Sequence, residues 1–202
     1  VNLDNSLKNH GFIPDDITDV FLTHLHFDHC GGSVIWNKDR TGFEMKFKNA
    51  KYWSNQDHWN LALNPNNREK ASFLRENILP ISESGHLNFI SKGQEISESM
   101  DILLVNGHTD SQMIPHIKYK EKTIVFAADL LPSTGHIPLP YVMGYDTKPL
   151  ETLIEKEIFL EKAANNEYII FLQHDNYSEC CTVHKTDKGV RLNNTFSLKD
   201  IL

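Results

Sequence analysis

The chain is poor in cysteine, with three in 202 residues. Cys180 and Cys181 are neighbours and the total is odd, so no disulfide framework can be read. A reducing, cytoplasmic location is therefore expected, with Cys30 and Cys181 as small buried hydrophobes. Basic residues are also outnumbered, 20 Lys and Arg against 27 Asp and Glu, for a net charge of −7. An acidic balance argues against a protein built to wrap nucleic acid, which would need a basic patch to neutralise phosphates. No run of about 18 apolar residues exists, so no membrane span is expected. Internal repeats, low-complexity segments and a Pro/Gly/Ser linker are lacking too, and one domain over residues 1–202 is expected. The first residue is Val1 rather than Met, with no basic and apolar leader after it. The expectation is a trimmed piece of a longer protein.

What is present is a core and a surplus of imidazole. Hydrophobic residues make up 40% and aromatics 10%, too apolar for a disordered chain. Histidine numbers eleven, and an acidic globular chain has no general need of so many. The patterning predicts a helix over 4–10 closed by Gly11, then a buried strand over Ile17–Thr23. A half-exposed strand is expected at Phe43–Lys48. Helix starts are expected at 54–57 and 67–69, separated by Pro65. Asp101–Val105 reads as a strand, and Met113–Tyr119 with Thr123–Ala128 as a hairpin. Glu151–Ala164 is the best helix, with Leu153, Ile154, Ile158, Leu160 and Ala164 as its apolar face. Tyr168–Leu172 is a short buried strand, and residues 181–192 form a last hairpin. Strands alternating with helices and hairpins imply a mixed α/β or α+β sandwich.

The informative segment is Thr23-His24-Leu25-His26-Phe27-Asp28-His29-Cys30-Gly31-Gly32. At a strand end, positions 24, 26 and 28 share a face because the side-chain period is two. A turn then lets His29 swing to the same pocket, with Gly31-Gly32 easing the bend. Three further ligand-type residues follow strands: His108 after DILLV, Asp129 after TIVFAA and His174 after YIIFL. Any one alone is weak. Together they give five His and two Asp, the nitrogen and oxygen mix that suits two divalent metals.

T-H-L-H-F-D-H-C-G-G, then G-H-T, A-A-D and Q-H-D, in this order, resemble the metallo-β-lactamase-fold hydrolases. The resemblance covers nearly the whole chain. It implies an αββα sandwich, an α+β fold with the site at one edge between the sheets. It implies that His24, His26 and His108 hold one metal, that Asp28, His29 and His174 hold the other, and that Asp129 bridges them. Two features depart from the pattern. The strands that usually precede the motif strand are lacking, and G-H-T continues as Asp110-Ser111-Gln112 where a Gly is usual.

Two metals about 3.5–4 Å apart share a water and lower its pKa toward neutrality. The expected activity is thus a dinuclear metal-dependent hydrolase using a metal-bridging hydroxide. Zinc is the expected metal, with iron or manganese as alternatives. Asp28 and Asp129 are the catalytic carboxylates, Asp28 orienting the nucleophile and carrying a proton. Asp175, Thr109 and Asp110 are candidates to orient the ligand imidazoles. The Q-H-D ending looks most like the acyl-homoserine lactonase and organophosphate-hydrolase branch, which implies a small-molecule ester, lactone or phosphotriester. Trp53, Trp59, Phe73 and Phe89 are candidates for an acyl-chain wall, weighed against ordinary core packing. His136, Tyr141 and Tyr145 are candidates for substrate contact in the loop after Asp129. A glyoxalase II-like thioesterase and a mononuclear iron persulfide dioxygenase are the alternatives. A non-enzymatic metal protein is disfavoured by the full ligand set, and a homodimer is one option for the assembly.

Overall fold

The computed structural model describes residues 3–90 and 96–201. The chain divides into two compact units, residues 1–94 and 95–202. Among the described residues no helix is long and apolar enough to cross a membrane.

The first unit opens with α1 (Leu3–Asn9), and Gly11 follows at φ +81, the left-handed stop that the sequence predicts. Its sheet is parallel, with β1 (Asp19–Phe21), β4 (Lys51–Ser54) and β5 (Leu87–Phe89) in that order. A separate antiparallel pair joins β2 (Val34–Trp36) to β3 (Phe43–Met45). The expected strand over 17–23 is cut to three residues. After a last bond from the Leu22 N–H to the Trp53 carbonyl, Thr23 to His26 leave the sheet, and a one-turn helix, α2 (Phe27–Cys30), follows at once.

Helix α3 (Gln56–Leu63) starts where expected, because the Asn55 side chain accepts the His58 N–H at 2.8 Å. The expected second start at 67–69 is a turn instead. There the Asn66 side chain accepts the N–H groups of Arg68 and Glu69, which closes a local ring rather than a helix. The helix α4 (Arg75–Glu83) begins further on. The core gathers Leu22, Leu25, Tyr52, Trp59, Phe73, Ile78 and Ile81. Three of the proposed wall aromatics, Trp53, Trp59 and Phe73, are buried, so packing accounts for most of that stretch.

The second unit is a six-stranded sheet. Its strands are β6 (Met100–Val105), β7 (Gln112–Tyr119), β8 (Lys122–Phe126), β9 (Ile169–Phe171), β10 (Cys180–Thr186) and β11 (Gly189–Phe196). They lie in strict sequence order, antiparallel except for the parallel pair β8–β9. The parallel pair needs a long crossover, and α5 (Pro149–Asn165) supplies it. Two reversals separate β6 from β8, so β6, β8 and β9 all run the same way.

Helix α5 buries only part of the expected face, Leu160 with Ala164 packed beside it. Thr152, Lys156, Phe159, Leu160 and Ala163 are buried, while Ile154 and Ile158 face solvent. The reason is Lys156. Its ammonium donates to the backbone carbonyls of His136, Pro138 and Tyr141, and so pins the loop after Asp129 to the helix. Burial pulls this lysine down to about 8, against Asp146, which raises it. The folded chain therefore sheds this proton near pH 8, while an ordinary lysine holds it to about 10.5. Between those values the unfolded chain binds the extra proton, so this residue's contribution to stability rises with pH. Urea titrations from pH 8 to 10 should show a more positive stability slope for the wild type than for Lys156→Met. Equal slopes would contradict the burial of a charged ammonium.

Candidate metal centre

In the first unit, the backbone leaves β1 and buries five consecutive residues before α2. Thr23, His24, Leu25 and His26 are all nearly inaccessible. Leu25 drops into the core, and the histidines on either side of it come together. The His24 and His26 rings pack edge to face at 4.6 Å, and those of His24 and His29 lie 3.9 Å apart. Asp28 and His29 follow on α2, with His29 Nε2 3.4 Å from Asp28 Oδ2. The four motif residues thus meet, though not through strand alternation. A loop places 24 and 26, and one helical turn places 28 and 29.

In the second unit, one rule delivers three residues to one edge. His108 lies three residues past the end of β6, Asp129 three past β8, and His174 three past β9. These strands share a direction, so their C-terminal ends coincide. Asp129 Oδ2 stands 3.0 Å from His108 Nε2, and Oδ1 stands 3.2 Å from His174 Nε2. His108 and Asp129 are buried. Just before the carboxylate, Ala128 has φ +42, a left-handed backbone that costs a non-glycine residue on the order of 1 kcal/mol.

The partners of the imidazoles come from distant parts of the chain. His108 Nδ1 is 3.0 Å from Asp146 Oδ1. His26 Nε2 is 3.4 Å from Glu69 Oε2, and that carboxylate is steadied by Asn66. His24 Nδ1 is 3.2 Å from Thr23 Oγ1. Burial alone would lower His108, but the hydrogen bonds and charges of Asp129 and Asp146 outweigh it and hold the imidazole up to about 9. Two buried carboxylates flanking one imidazole call for a positive charge between them. Imidazole nitrogen and carboxylate oxygen are also the donors that divalent metals of the zinc type take. The residues present therefore fit a metal.

Of the expected orienting residues, Asp175 and Asp110 have partners other than the imidazoles. Asp175 accepts from the Thr134 N–H and hydroxyl and from the N–H groups of Tyr177 and Ser178, closing a turn. Those bonds hold its carboxyl below the usual range despite burial. Asp110 pairs with Lys148. Thr109 is buried. His136 Nδ1 is 2.8 Å from Ser133 Oγ, while Tyr141 and Tyr145 stand in solvent, 60% and 81% exposed. All three cysteines are buried thiols, and burial pushes Cys30 and Cys181 up to about 12, as inert hydrophobes require.

A parallel sheet in one unit, a mixed sheet in the other and ligand-type residues beyond the strands define a metal-site α+β protein. The sequence profile of the metallo-β-lactamase superfamily matches residues 2–174, and the chain belongs to that superfamily. An N-acyl homoserine lactonase of Bacillus thuringiensis is 25% identical over 176 residues, 85% of this chain and 61% of that protein. The lactonase AiiB of Agrobacterium fabrum is 41% identical over 59 residues, 28% of this chain and 21% of the other. Among solved structures, a probable metal-dependent hydrolase from Staphylococcus aureus superposes with a TM-score of 0.82 at 26% identity, covering 97% of this chain and 69% of that one. The dizinc quorum-quenching lactonase AidC, in complex with a product, gives 0.78 at 25% identity, covering 96% and 70%. The chain thus has the fold of the superfamily and spans 61% of the length of the Bacillus relative.

Proposed function

We propose that the protein is a dinuclear metal-dependent hydrolase that opens an ester or lactone, with phosphotriesters as a second substrate class. The observation that carries this reading is the Asp129 carboxylate, which offers each of its oxygens to a different imidazole. A carboxylate with an imidazole at each oxygen could be shared between two cations. In this reading His24, His26 and His108 hold one ion, Asp28, His29 and His174 hold the other, and Asp129 is shared. Residues 1–202 then act as one domain. Zinc is the ion we propose. Bound there, the pair supplies Lewis acidity and a water that ionises near neutral pH.

The chain's own groups supply the rest. Glu69 and Asp146 take the outer ring protons of His26 and His108, which fixes each tautomer and aims the other nitrogen inward. Asp28 is the least buried carboxylate of the set, its side chain 43% exposed, and can pass a proton to a leaving alkoxide at the mouth of the site. His136, Tyr141 and Tyr145 lie on the loop pinned by Lys156, from which their hydrogen-bond donors would meet the substrate. The lactonase names of the relatives support an acyl-homoserine lactone as the first substrate to try.

The test is metal analysis with a panel of lactone, thioester and phosphotriester. About two Zn per chain and lactone turnover support the proposal. Thioester turnover alone moves the reading to a glyoxalase II-like enzyme, and one Fe with oxygen uptake moves it to a dioxygenase. A chain with no metal sinks it. Asp146→Asn should weaken Zn(II) binding about 10–100-fold in chelator competition, because the orienting acceptor behind His108 is lost. Unchanged affinity would remove Asp146 from the site.

A further inference from the structure

The motif loop has no regular secondary structure between Phe21 and Phe27, yet it is buried. Its backbone polar groups therefore need partners from outside the loop. At Leu25, which separates His24 from His26, both are side chains. The Leu25 carbonyl accepts from the Cys30 thiol at 3.3 Å. The Leu25 N–H donates to His58 Nε2 at 2.8 Å. His58 is 1% exposed and sits on the first turn of α3, where its own N–H is capped by Asn55. Phe73 packs against the rings of both His26 and His58.

From this geometry we infer that His58 is a positioning residue for the metal centre, an imidazole that holds the ligand loop by its backbone instead of binding the metal. To accept the Leu25 N–H, Nε2 must carry a lone pair, so the His58 proton sits on Nδ1. The peptide it holds joins His24 to Leu25 and lies one residue from His26, so its anchoring fixes the backbone from which both proposed ligands project. Helix α3 thereby sets the angle between two imidazoles without contributing a ligand. A residue of similar bulk with no acceptor would leave the buried N–H unpaired and let the loop turn to find another partner.

The inference rests on His24 and His26 being ligands, and the experiment separates the two. Wild type, His58→Leu and His58→Gln are compared as full chains. Zn(II) affinity is read by competition with a chromogenic chelator, and the ligand field by the visible bands of the Co(II)-loaded protein. The Gln side-chain carbonyl can accept the Leu25 N–H, whereas Leu cannot. His58→Leu should lose about 10–100-fold in affinity with a shifted Co(II) spectrum, and His58→Gln should recover most of both. Wild-type affinity in the Leu variant overturns the inference, as does equal impairment of Leu and Gln. Should the Leu variant fail to fold by circular dichroism, the Gln variant decides: wild-type affinity and spectrum support the inference, and their loss overturns it. A wild type that binds no Zn(II) overturns the ligand reading and this inference with it. A wild type that binds Zn(II) and hydrolyses nothing defeats the proposed function alone.

Discussion

Asp129→Asn is expected to strip the protein of metal and of activity together. The carboxylate is buried, and its two oxygens face His108 and His174 at 3.0 and 3.2 Å. An amide keeps the shape but removes the charge and turns one oxygen into a donor. That donor would point at an imidazole nitrogen needed for metal. The loss should exceed the roughly 10–100-fold that an orienting partner behind a ligand costs. Metal content after dialysis and lactone turnover should fall in the same variant. If two metals stay bound and turnover survives, Asp129 is not the shared ligand.

Gly107→Ala is expected to be the most destabilising single methyl in the second unit. A β-carbon there would overlap the Thr152 hydroxyl and backbone nitrogen, and would come within 2.5 Å of Thr152 Cα. Backbone cannot step aside as a side-chain tip can. The contact is also fastened from both sides. Glu155 accepts the N–H groups of Asn106 and Gly107 at 2.7 and 2.9 Å, and the Lys148 N–H reaches the Gly107 carbonyl at 2.8 Å. Overpacking in a tight core costs about 1–3 kcal/mol, and a clash between backbones belongs at the top of that range. A loss of about 3 kcal/mol should lower Tm by roughly 6–12 °C in a chain of this size. His108 is the next residue, so Zn(II) occupancy should fall as well. A variant with wild-type Tm would mean that β6 and α5 do not approach so closely.

The sequence marks the candidate ligands more plainly than it marks how each is positioned. H-x-H-x-D-H announces four residues, and His108, Asp129 and His174 each follow a recognisable apolar strand. Strand signals are local, so the three strand ends could be found one by one. Glu69 and Asp146 could not, because they lie 43 and 38 residues from the histidines they serve and no local pattern marks them. His58 hides for the same reason, on a helix whose sequence shows only a good N-cap. Helix α5 misleads in the opposite direction. Its apolar spacing selects Ile154 and Ile158, but the interior takes Lys156 because three carbonyls wait for its ammonium. The short β4 carries no strand signal of its own, since Lys51 and Ser54 flank a central Tyr52 and Trp53.

The three residues delivered by β6, β8 and β9 also bear on when the site can exist during folding. His24 to His29 span six positions, and closing so short a loop costs little entropy. His108, Asp129 and His174 meet only after β9 has docked beside β8 across the whole α5 crossover. Contacts so distant in sequence form late and slowly. On the proposed metal-site reading, metal supply would then bear on the chain's lifetime. A cation that binds only the completed sheet edge withdraws finished molecules from the unfolding equilibrium, and molecules made under metal starvation remain open to proteases for longer.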